Sequence, residues 1–189
     1  MVAPVTRKIQ PLLTLILAAG CGADEPAPDA TVTLSALGGS GVAGTIEFTE
    51  LAEGGVRVDA DITGLTPGQH GMHVHEWGDC SAPDGMSAGG HFNPDMVDHG
   101  APGGATHHPG DYGNLEADAD GRATLSLTID AISLTAGDEV NVLGRAVIVH
   151  EKADDFGQPT GNAGGRLACG VIHVTGGTSP PVLGPTPGA

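Results

Sequence analysis

From Gly78 to Gly113 the chain is rich in Gly, Pro, Asp and His and carries almost no strand signal, whereas its flanks alternate apolar and polar residues. A structureless stretch this long is uncommon in a compact domain and is usually functional where it occurs. The flanking alternation has the strand period of two in Thr31 to Leu37, Gly44 to Thr49 and Val56 to Ile62. Ala123 to Ile129, Arg145 to His150 and Cys169 to Thr175 read as further strands. Gly54-Gly55 predicts a hairpin turn between two of them, and Asp118-Ala119-Asp120-Gly121 predicts another turn. No stretch shows a helical period with caps. With 32 glycines, 14 prolines and 3% aromatic residues in 189, the composition suits short strands joined by loops. The expectation is one all-β domain, an antiparallel sandwich or closed barrel.

The ends read differently. Residues 1–20 predict a signal segment, with Arg7 and Lys8 as its positive end and Leu12 to Ala19 as an apolar stretch too short to span a bilayer. Ala18-Ala19-Gly20-Cys21 resembles a bacterial lipoprotein cleavage box, although Leu is commoner where Ala18 stands. On that reading Cys21 carries the lipid and the protein is anchored in the periplasm or cell envelope; the alternative is an ordinary cleavage site beside an incidental Cys21. Residues 21–30 form a flexible tether, 31–175 the folded domain and 176–189 a Gly/Pro/Thr-rich disordered tail. The three cysteines ask for one pair plus one thiol with another task. Removing Arg7 and Lys8 leaves 5 of the 7 basic residues against 23 acidic ones, a charge near −18. So acidic a body argues against nucleic acid as a partner and against electrostatic attachment to anionic lipid, leaving the N-terminal lipid as the expected membrane contact.

The chemistry lies in the histidines. In a strand, His73 and His75 point to one face, so both imidazoles can reach a single ion. The long loop adds His91, His99, His107 and His108, and Asp111 follows in His108-Pro109-Gly110-Asp111. His150 ends the apolar run Ala146 to Val149. Nine histidines concentrated in this way suit copper or zinc and do not suit calcium or magnesium, which take oxygen-only sites. Spacing alone leaves the choice between the two metals, and the number of ions, open.

Five blocks together resemble the copper,zinc superoxide dismutase family. They are Gly71 to Glu76, Gly90 to Pro94, His108 to Asp111, Val149 to Asp155 and Gly161 to Gly170, in order over about residues 31–175. The resemblance implies a flattened eight-stranded Greek-key β-barrel, an immunoglobulin-like sandwich with long metal-binding loops. It implies copper on His73, His75, His91 and His150, and zinc on His91, His99, His108 and Asp111, with His91 bridging the two ions and carrying the proton. The family spacing favours His108 over its neighbour His107. Arg166 matches the arginine that attracts the superoxide anion, Asp154 the carboxylate linking His73 to His99, and Thr160 the channel threonine. Cys80 and Cys169 match the family disulfide. His70 and His173 are expected to be structural.

One segment departs from the family. Only Phe156-Gly157-Gln158-Pro159-Thr160 separates Asp155 from Gly161, where the eukaryotic members carry a longer charged loop, so long-range steering of substrate differs. The expected activity is conversion of two superoxide anions to dioxygen and hydrogen peroxide. The alternative is a copper/zinc buffer or chaperone on the same barrel. Such a protein could dispense with Arg166 or a copper ligand, and this sequence retains the full set. A monomer and a homodimer are both compatible with the sequence, with Trp77 as either a core or an interface residue.

Overall fold

A computed structural model describes residues 27–177 and Gly184. The expected signal segment at 1–20, Cys21, most of the tether and nearly all of the tail lie outside the described residues. Strands β1 (Ala30–Ala36), β2 (Ala43–Glu50) and β3 (Val56–Thr63) form an antiparallel meander. The β2–β3 turn closes where expected: Leu51 N–H donates to Gly55 O, and Gly54 and Gly55 take positive φ values of 103° and 80° that favour glycine. β4 (Gly68–His75), β5 (Asp111–Ala117), β6 (Ala123–Ile129), β7 (Ala146–His150) and β8 (Arg166–Val171) follow, and a two-residue β9 (His173–Val174) pairs with β1.

The ladder order is β5-β4-β7-β8-β1-β2-β3-β6, so β4 and β7 pair across a long connection, as do β3 and β6. Eight antiparallel strands thus make a nearly closed barrel with a seam between β5 and β6. Alternation fills the barrel: Val32 and Leu34 of β1, Ile46 and Phe48 of β2, and Val58, Ala60 and Ile62 of β3 belong to one buried cluster. Fully burying an aliphatic side chain of this size contributes about 1.5–3 kcal/mol, so this cluster dominates the stability of the fold.

Three details differ from the sequence reading. The long loop ends earlier than Gly113, because β5 begins at Asp111. The expected strand Cys169 to Thr175 starts sooner, at Arg166, and breaks at Ile172. There Ile172 N–H still bonds Arg145 O on the β7 side, whereas His173 pairs with Thr31 of β1. β4 shows no clean alternation because both of its faces are buried from His70 to His75.

The two faces of β4 position the site. Met72 and Val74 enter the barrel core, so by the strand period His73 and His75 stand on the outer face. The loop folds back to cover them: Phe92 N–H bonds Val74 O, Val74 N–H bonds Gly110 O, and Glu76 N–H bonds Gly90 O, at 2.8–2.9 Å. β7 repeats the division, with Val147 and Val149 inside. Ala146 and Ile148 lie outside, in a second cluster with Leu37, Ala88 and Cys169. Register shifts fall between Gly71 and His73 on β4 and between Val149 and His150 on β7, where bulges re-aim side chains next to the site.

The disulfide joins Cys80 of the loop to Cys169 of β8, at a sequence separation of 89. Closing so long a segment restricts the unfolded chain and also holds the loop over the outer cluster. Replacing both residues (Cys80→Ser with Cys169→Ser) is expected to lower the unfolding free energy by about 4 kcal/mol, measured by guanidinium denaturation. An unchanged midpoint would show that the fold does not depend on the bridge.

Candidate metal centre

Four imidazoles meet on the outer face of β4 and β7. His73, His75, His91 and His150 are all buried and present ring nitrogens within 4.8 Å of one another. Three of these rings have one nitrogen already engaged. His73 Nε2 lies 2.9 Å from Asp154 Oδ2, His75 Nδ1 lies 3.0 Å from Gly89 O, and His150 Nδ1 lies 3.4 Å from Gly164 O. Carboxylate and carbonyl oxygens only accept, so each contact places the ring N–H on that nitrogen and the lone pair on the other. The nitrogens left over are His73 Nδ1, His75 Nε2 and His150 Nε2, and all three are buried without a hydrogen-bond partner. Buried polar atoms without partners are rare and need an explanation. A shared cation would satisfy all three, and an all-imidazole set suits copper or zinc.

The second group surrounds one carboxylate. His91 Nδ1 and His108 Nδ1 lie 3.0 and 3.1 Å from Asp111 Oδ1, and His99 Nδ1 lies 2.9 Å from Asp111 Oδ2. The last approach lacks the angle of a hydrogen bond, and His99 Nδ1 is buried without a partner. Three nitrogens and one oxygen in mutual reach fit the four-ligand tetrahedron of zinc, whose edge is roughly 3.3 Å for bonds of ~2.0 Å. Asp111 is also held from behind by the N–H groups of His108 and Gly100.

His91 belongs to both groups. Its ring stacks on His73 with centroids 4.0 Å apart, and it lies between 5.2 and 5.6 Å from the rings of His75, His99 and His108. The groups are also joined from behind. Asp154 accepts from His73 Nε2 through Oδ2 and from His99 Nε2 through Oδ1, both at 2.9 Å. Asn114 holds that carboxylate's main chain, donating to Asp154 O and accepting from Asp154 N–H.

Burial sets the protonation of this cluster. It draws the His91 ring down to about 4 against the pull of Asp111, and the His150 ring down to about 3 with neighbouring imidazoles adding to the effect. His75 is pushed well below its ordinary value, by burial first and then by Arg166. Burial raises Asp111, but hydrogen bonds from His108 and His91 outweigh it and hold the carboxyl far below the usual range. These imidazoles are therefore neutral near pH 7, with lone pairs available to a cation.

A cleft of about 860 Å³ opens onto the four-imidazole group and is lined by His75, His91, His150, Thr160 and Arg166 among others. Arg166 Nη1 and Nη2 donate to Gly85 O and Gly89 O, each at 2.7 Å, and Gly89 O also receives the N–H of His75. Both carbonyls flank the 3-10 turn Met86–Ala88, which lies inside the disulfide loop.

The remaining residues singled out in the sequence fall elsewhere. His107 stands outside both groups, its Nδ1 2.9 Å from His108 O. His173 is half-buried on β9, and Trp77 is half-buried beside Gly89. His70 is buried, with Nδ1 2.8 Å from His150 O and Nε2 2.9 Å from Thr66 O, so it ties the entry of β4 to the end of β7. Sequence reasoning missed Asn114 and the carbonyls of Gly85, Gly89 and Gly164. Backbone acceptors leave no residue-type signal.

Residues 42–172 match the family described as copper/zinc superoxide dismutase. A solved structure, that of the clock protein EA4, is 43% identical; the match covers 79% of this chain and 97% of that one, with a TM-score of 0.70.

The depressed rings carry a signed prediction for the metal-free protein. The unfolded chain takes up protons near pH 6.5 that folded His91 and His150 refuse, so stability is full above that pH and falls as pH drops toward 4. The loss is expected to approach about 1.4 kcal/mol per pH unit for each ring. Urea denaturation of the metal-free protein at pH 7, 6, 5 and 4 measures it, and a flat profile would contradict the burial argument.

Proposed function

Because the chain belongs to the copper/zinc superoxide dismutase family, we propose that it converts two superoxide anions and two protons to dioxygen and hydrogen peroxide. His73, His75, His91 and His150 hold copper, and His91, His99, His108 and Asp111 hold zinc. The observation that carries the reading is the set of orphaned nitrogens of His73, His75 and His150, gathered beside a cleft that contains Arg166. Copper there would supply the one-electron couple that removes an electron from one superoxide and returns it to the next, while zinc, which has no redox chemistry, would supply fixed charge.

The chain's own residues do the rest. Arg166 attracts the anion: a guanidinium stays charged and has five N–H donors, of which the Gly85 and Gly89 carbonyls take two. Those two bonds fix its plane at the cleft wall. With zinc bound, His91 Nδ1 would be engaged on the Asp111 side, and Nε2, on the side of His73, His75 and His150, would be the nitrogen left to hold the proton. Asp154 keeps His73 and His99 in the tautomer and plane their roles require.

Substrate attraction is local. The body is strongly acidic, and Arg57 and Arg122 are ion-paired with Asp59 and Asp61. Arg145 lies over the Phe92 ring, 3.7 Å from its centroid. Among the described basic residues Arg166 is the one that lines the cleft, with Lys152 at its edge beside Gly164. A similar solved structure bears the name of a clock protein, so the enzyme reading rests on the site itself: the presence of Arg166 with both ligand groups favours an enzyme over a metal buffer.

Pulse radiolysis of the copper- and zinc-loaded protein is expected to show fast catalysed decay of superoxide that collapses in His150→Ala. Arg166→Ala is expected to lose about tenfold or more, together with most of the ionic-strength dependence, as removal of a steering charge should. Tight binding of both metals without fast decay would leave a metal-binding protein and sink the enzyme reading.

Export and lipid attachment at Cys21 belong to the same proposal and are supported by the Arg7–Lys8, apolar and Ala18-Ala19-Gly20-Cys21 sequence. Radiolabelled palmitate fed to expressing bacteria should enter the parent and be absent from Cys21→Ser. Equal labelling, or none in the parent, would remove the anchor.

A further inference from the structure

Only Phe156-Gly157-Gln158-Pro159-Thr160 separates Asp155 from Gly161, and this short loop reaches the metal loop. At its tip, Gln158 Nε2 donates to the main-chain carbonyl of His99 at 2.8 Å, and Gln158 Oε1 accepts from the His99 N–H at 3.2 Å. A carboxamide offers a donor and an acceptor side by side, as a peptide group does. One side chain therefore does for His99 what a neighbouring strand would do. Among the described residues no other hydrogen bond reaches either main-chain group of His99.

His99 depends on that support. It sits in the part of the long loop, between Phe92 and His108, that has no strand partner. Its ring must satisfy two directions at once, with Nε2 on Asp154 Oδ1 and Nδ1 facing Asp111 Oδ2, both at 2.9 Å. A ring bonded at Nε2 keeps Nδ1 aimed at Asp111 only if its backbone cannot shift. The short loop is itself stiffly built. Gly161 N–H bonds Gly157 O at 2.7 Å, Asp155 N–H bonds Gly161 O at 2.9 Å, and the Asp155 carboxylate accepts from Gly157 N–H and from Asn162 Nδ2. Gln158 is thus placed in advance, and little ordering accompanies its contact with His99.

We propose that Gln158 is a positioning residue for zinc, which fixes the backbone of His99 so that Nδ1 stays aligned with His91, His108 and Asp111. The inference rests on reading His99 as a zinc ligand. The short loop thus clamps the metal loop at Gln158, while its later residues Thr160 and Asn162 line the cleft.

The test uses the full metal-loaded protein and two variants. Gln158→Met keeps length and bulk but removes donor and acceptor, whereas Asn162→Ala removes the loop's bond to Asp155 and leaves the His99 contact intact. Release of zinc into excess chromogenic chelator is followed for each, beside the visible spectrum of cobalt(II) placed in the zinc site. Gln158→Met is expected to release zinc about tenfold faster, the lower end of what loss of an outer partner does to a metal site, and to shift the cobalt bands. Asn162→Ala should stay within about twofold of the parent. Parental zinc release and an unshifted cobalt spectrum in Gln158→Met would overturn the proposal, as would equal acceleration in Asn162→Ala, which would make loop order the cause. A parent that takes up copper but no zinc would overturn the ligand reading itself, and the proposal with it.

Discussion

Strand β4 presents two chemistries on opposite faces, and the rest of the molecule answers to that division. Met72 and Val74 fill the barrel while His73 and His75 stand outside it, yet all four are buried. An apolar face needs only other apolar side chains. A buried imidazole face needs a hydrogen-bond partner or a cation for each nitrogen. The barrel supplies the first requirement through β1 to β3, and the long loop supplies the second by folding over the outer face along Val74 and Glu76.

Two carboxylates organise that outer layer. Asp111 stands among His91, His99 and His108, and Asp154 ties His73 to His99, so His99 touches both. Glycine carbonyls orient the others: Gly89 holds His75 and Gly164 holds His150. Glycine also permits the close approaches. A Cβ on Gly110 would come within 2.5 Å of Val74 O, where the loop zips onto β4. The disulfide closes the layer from the other side, holding the turn whose Gly85 and Gly89 carbonyls fix Arg166. The orientation of the imidazoles, the placement of Arg166 and the anchoring of the loop therefore share one network of contacts.

The acidic body and the single cleft arginine are consistent with a division of labour. Net negative charge repels anions at long range, whereas a half-buried guanidinium acts at short range where screening is weak.

Legibility followed solvation. The hairpin β2–β3 and strand β6 alternate visibly because one face of each meets water, and the sequence showed all three nearly to the residue. β5 was hidden because its first three residues are all buried, among them the charged Asp111. The histidines were legible as a candidate metal cluster by number and type, and their division between two groups only through resemblance to a family. What the sequence by itself determined was a barrel of short strands, a loop rich in imidazole, and a membership that matched motifs carry. What only the tertiary structure decided was who faces whom. Asp154 meets His73 across 81 residues, Gln158 meets His99 across 59, and Gly89 O is shared by His75 and Arg166. Periodicity is a local property of the chain, readable from neighbours, whereas these contacts exist only once the barrel has closed and brought distant loops to one face.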